Sequence, residues 1–114
     1  MAITSEIIGK LGGADVEVIP VEGEASGGRD STEVLATIDV PAGETWLVAA
    51  IVQVTPASAS SPPRLQLGDE VSTAAPRGTH GLTTTATESI SLSIRRGTGN
   101  GSDTFTGHVY AVKL

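Results

Sequence analysis

"VPAGETWLVAAIVQVT", residues 40–55, decides how this chain folds. Pro41-Ala42-Gly43 makes a bend, because proline fixes one backbone angle and glycine frees another. A nearly unbroken apolar run follows, and it holds the single tryptophan, Trp46. A strand with one wet face alternates apolar and polar residues. From Trp46 to Val52 both alternating sets are apolar, so both faces of this strand need cover.

The segments around it are short, β-like and separated by glycine, proline and serine. "DVEVIPV" (15–21) alternates Val16 and Val18 with Asp15 and Glu17, a period of two. "EVLATIDV" (33–40) places Val34, Ala36, Ile38 and Val40 on one face, with Glu33, Thr37 and Asp39 opposite. "TPASASSPP" (55–63) is a loop, since its three prolines cannot donate ladder hydrogen bonds. "RLQLGDE" supplies a short strand with Leu65 and Leu67, closed by Gly68-Asp69. Residues 71–81 read as loop, with "EVST" as a possible strand fragment. In "SISLSIRR", Ile90, Leu92 and Ile94 point one way, and Ser89, Ser91, Ser93 and Arg95 the other. "GTGNGSD" reads as a glycine-rich hairpin connection into the closing strand "TFTGHVYAVKL". Seven to eight strands at about ten-residue spacing, with no long helical period, predict an all-β sandwich or barrel. Residues 1–13 fit a terminal arm or short helix, leaving 14–114 as the β domain.

Composition narrows the function classes. The 114 residues suffice for one domain with its own core. There are no cysteines, which excludes disulfides and thiolate metal sites. Thirteen acids against seven bases give a formal charge of −6, the wrong sign for a nucleic-acid partner. Few lysines and many acids suit either a salty cytoplasm or an ordinary acidic protein. No run reaches the roughly 20 apolar residues of a membrane span, and "MAITSEIIGKLGG" lacks the features of a secretory leader. Synthesis and folding in a cytoplasm, with no membrane partner, are therefore expected.

Catalytic chemistry finds little support. His80, in "RGTHG", and His108, in the last strand, are the only histidines, too few for a usual zinc ligand set. No GxSxG nucleophile turn occurs. Asp69 and Glu70 are adjacent, so a strand would point them to opposite faces. "GTGNG" (97–101) is followed by a strand, whereas a phosphate cradle opens a helix. Asp103, with Asn100 and Ser102, offers oxygen ligands, but not at the spacing of a twelve-residue calcium loop. No catalytic residue, cofactor or metal is expected. Loops 22–32, 55–63 and 74–81 are long enough to recognise a receptor or glycan, yet poor in anchoring aromatics.

The closing strand repeats the opening problem. Phe105 and Tyr110 lie five apart and face opposite sides, so this strand too is apolar on both faces. Other copies of the chain, or the arm with its Ile7 and Ile8, are the natural cover. The expected oligomer interface comprises Ile7, Ile8, Leu47, Ile51, Tyr110, Val112 and Leu114.

"ATIDVPAGETWLVAAIVQVT" and the ending "TFTGHVYAVKL", with its x-G-x-V-x-A pattern, resemble small β-sandwich structural proteins of tailed bacteriophages and their archaeal relatives. The resemblance covers residues 33–55 and 88–114. It implies a jelly-roll-like antiparallel sandwich and a non-enzymatic virion component, as head decoration, turret, fibre or tail. It also implies assembly with itself, as a trimer or pentamer, and docking onto other virion proteins without a cofactor. A receptor- or glycan-binding sandwich is the alternative.

Overall fold

The computed structural model describes residues 7–10 and 15–114. Nine strands are found among them, in the order β1 (Ile7–Lys10), β2 (Val16–Ala25), β3 (Thr32–Asp39), β4 (Trp46–Thr55) and β5 (Arg64–Leu67), then β6 (Val71–Ala74), β7 (Gly78–Ala86), β8 (Ile90–Arg95) and β9 (Asp103–Lys113). They form a five-stranded sheet, β1-β3-β8-β5-β6, and a four-stranded sheet, β2-β9-β4-β7. From β2 onward every pairing is antiparallel, and the chain changes sheet at most connections. That order of eight strands is the jelly roll, two Greek keys folded into a sandwich.

Alternation places the core between the sheets. Trp46, Val48, Ala50, Val52 and Val54 of β4 are fully buried, and they face Leu65, Leu67, Leu92 and Ile94 of the other sheet. Each such aliphatic side chain contributes about 1.5–3 kcal/mol of transfer free energy. Trp46 anchors the layer while its Nε1–H donates to Glu44 Oε1 at 2.9 Å, so the ring is buried without losing its polar contact. Phe105 lies inside and Tyr110 outside, as their spacing predicts.

Several details differ from the sequence reading. Ile7–Lys10 is a strand, paired in parallel with β3, rather than part of a helix; the expectation for residues 1–6 and 11–14 lies outside the described residues. A bulge between Val34 and Ala36 turns Leu35 into the core and moves Val34 out of phase. Residues 71–81 are not loop: they contain β6 and the first turnless half of β7, which β4 holds through backbone pairing despite its lack of large apolar side chains. Residues 97–102 are not a hairpin, because β8 and β9 lie in different sheets and the glycines carry the chain across the sandwich. Gly101 there takes φ 65°, a conformation open to glycine.

Candidate interaction surface

The outer face of β2-β9-β4-β7 is organised in rows by the ladder register. Val16, Val112, Leu47 and Thr85 form one row; Val18, Tyr110, Ala49 and Thr83 form the next. The third row is Pro20, His108, Ile51 and Gly81. Beyond it the face turns polar, with Glu22, Thr106, Gln53 and Thr79 side by side. In the single chain the apolar rows meet water: Val16 is 57% exposed, Ile51 47% and Val112 39%. The run from Trp46 to Val52 thus has one face in the core and the other on this surface.

Five of the expected interface residues, Leu47, Ile51, Tyr110, Val112 and Leu114, are exposed, and the first four share these rows. Leu114 continues the outward phase of Val112, with its N–H donating to the Thr45 carbonyl at 2.8 Å. Ile7 and Ile8 do not join them. Their strand sits at the edge of the other sheet, beside β3, so it cannot roof this face. Val16, Val18 and Ala49 complete the rows and were not among the expected residues. The alternation of Val16 and Val18 was visible in the sequence, but only the register puts them beside Tyr110 and Val112.

The surface carries no Lys or Arg at any outward position of its four strands, so it offers no phosphate site. His108 and Tyr110 stand on it with ring centroids 5.9 Å apart. A shallow groove at the polar end, about 460 Å³, is lined by Glu22, Gln53, Thr55, Thr104 and Thr106 among others. His80 lies on β7 rather than in a loop, where its Nε2–H donates to the Pro76 carbonyl at 2.6 Å. Among the described residues no group of three or more His, Asp or Glu could hold a metal ion.

One end of the sandwich is fastened by a buried ion pair. Arg96 Nε donates to Asp103 Oδ2 at 3.0 Å, with both side chains fully buried. Arg96 also donates to the Gly27 carbonyl at 2.7 Å and the Asn100 carbonyl at 3.1 Å. Asp103 Oδ1 accepts from the Ala57 N–H at 2.8 Å. The pair therefore ties together loops 26–31, 56–63 and 96–102, two of which were expected to serve recognition. It also occupies both oxygens of Asp103, which is a structural anchor and not a calcium ligand. The sequence held a signal for it: Arg96 continues the inward phase of Leu92 and Ile94, and Asp103 that of Phe105 and Val109.

No protein-family model matches this chain, and no curated protein matches it. Fourteen chains of solved structures do. One, described as "CBM4 structure and function", is 13% identical with a TM-score of 0.49, over 82% of this chain and 71% of that one. So slight a likeness carries no functional argument, and what is established of this chain is its own strand order: an all-β jelly-roll sandwich.

Proposed function

We propose that this chain is a non-catalytic structural subunit of a virus particle, which assembles with copies of itself through the outer face of β2-β9-β4-β7. The observation that carries the assembly is the set of three contiguous apolar rows on that face. Strands spaced about 4.8 Å apart and alternate residues about 6.8 Å apart give the rows a footprint of roughly 400 Å². That is within the range of functional patches on monomers, roughly 300–600 Å². With the flanking polar rows, the face approaches the roughly 800 Å² per partner of a standard interface. Apolar rows at its centre and Thr, Gln and Glu at its margin give the core-and-rim layout of such an interface.

A second copy is the occupant that fits best. Two such faces pack as aligned sheets, with apolar row against apolar row and no buried charge. The virion assignment rests on the resemblance of residues 33–55 and 88–114 to tailed-virus sandwich proteins, and on a jelly-roll fold that viral capsid proteins also use.

The competing reading, a glycan-binding sandwich, draws on Tyr110 and His108 beside the polar groove. One tyrosine is little for stacking sugars. The two readings separate on one variant. Val112→Glu places a charge in the first apolar row, and it should sediment as a monomer with an unchanged β-sheet circular dichroism spectrum. Its stability should stay within about 0.5 kcal/mol of the parent, as for an exposed position. A Val112→Glu protein that remains associated overturns this interface. Specific retention on a glycan array by the wild type would favour the competing reading.

A further inference from the structure

The two sheets have four outer strands, and three of them carry a device against edge-to-edge pairing. β1 and β6 are only four residues long. β2 carries Pro20, which has no N–H to donate, followed by the charges of Glu22 and Glu24. β7 has none of these. It runs nine residues, GTHGLTTTA, without a proline or a charged side chain. Its one ladder partner among the described residues is β4. Apart from that ladder, the only hydrogen bond involving residues 78–86 is the His80 ring to the Pro76 carbonyl. Alternate N–H and C=O groups along β7 therefore face outward, unpaired, beside threonines that favour strands.

The geometry points to antiparallel pairing of β7 with the β7 of a second copy, about a two-fold axis at Leu82. This inference deepens the self-assembly proposed above and rests on it. Pairing centred on Leu82 sets Thr79 opposite the second copy's Thr85, and Gly81 opposite its Thr83, so no charges or bulky groups oppose one another. The flanks give direction. Arg77 precedes the strand and Glu88 follows it; both are exposed, and neither belongs to an ion pair among the described residues. An antiparallel two-fold brings Arg77 beside the second copy's Glu88, and does so twice. Parallel alignment would stack like on like. The consequence is structural: the sheet-face contact alone closes at a dimer, whereas a second two-fold contact at β7 lets assembly continue, as a particle coat requires.

Hydrogen exchange of the full chain at low and high concentration tests this, with mass measured alongside at low ionic strength, where exposed charges are least screened. The β7 amides should slow by about tenfold or more as concentration rises. Arg77→Glu should weaken the association that gives this protection by about tenfold, by placing four acids at the junction. Arg77→Glu with Glu88→Arg should restore it. Concentration-independent exchange in β7 while the wild type is an oligomer overturns the edge pairing and leaves the face contact standing. A wild type that stays monomeric overturns both. Failure of the double reversal to restore protection overturns the antiparallel register.

Discussion

Asp103→Asn lowers the unfolding free energy by about 3–5 kcal/mol, which for a domain of this size is a drop in melting temperature of about 12–20 °C. The cause is what the substitution leaves behind. Arg96 remains fully buried with its full charge, and its Nε loses the carboxylate 3.0 Å away. An unpaired buried guanidinium cannot shed its proton, so the desolvation cost has no relief. The effect spreads to three loops, because the same pair holds the Gly27 and Asn100 carbonyls and the Ala57 N–H. Arg96→Met should cost a similar amount for the mirrored reason. The double variant Arg96→Met with Asp103→Leu should recover part of the loss, since two charges leave together. Chemical denaturation of the four proteins measures this directly, and additive losses in the double variant would contradict the coupling.

Gly107→Ala destabilises by about 3 kcal/mol, at the upper end of the overpacking range. Gly107 sits in β9 between Val21 of β2 and Val52 of β4, in the middle of the sheet. A Cβ there would collide with the Ile51 carbonyl oxygen and come within 2.8 Å of Val52 Cα. Both are backbone atoms of a paired strand, so neither can swing aside as a flexible side chain would. Relief requires β9 and β4 to part locally, which breaks ladder bonds. The lowered denaturation midpoint checks the prediction. A variant as stable as the parent would show that the strands are not this close.

That glycine explains part of what was legible. The x-G-x-V-x-A pattern of the closing strand is a physical sequence: Gly107 for close approach, Val109 and Ala111 for the core face. Strand existence was readable wherever alternation was strict, as at Leu92 and Ile94, or wherever a bend preceded an apolar run, as at Trp46. β7 was partly hidden, because Gly78-Thr79-His80-Gly81 has no large apolar residue and is a strand through its pairing with β4. The bulge at Leu35 was invisible, since a single extra residue shifts the phase without any mark in composition. Sheet membership was also hidden: residues 97–102 have the glycines of a hairpin but span from one sheet to the other.

For the surface, the sequence revealed that β4 and β9 each carry an excess of apolar side chains, and Leu47, Ile51, Tyr110 and Val112 could be named from that alone. Val16 and Val18 could not be added, because their neighbours depend on a register between segments about ninety residues apart in the chain. Arg96 and Asp103 were findable from their inward phase, but two opposite charges at core positions run against the rule that charges stay outside.

Sedimentation of the wild-type chain through a dilution series bears most directly on the central claim that the apolar rows of β2-β9-β4-β7 are covered by another copy. Mass should fall by mass action from an assembly to single subunits of 11.5 kDa as the chain is diluted. A single 11.5 kDa species at every concentration, with Val16, Ile51 and Val112 left in water, would contradict it.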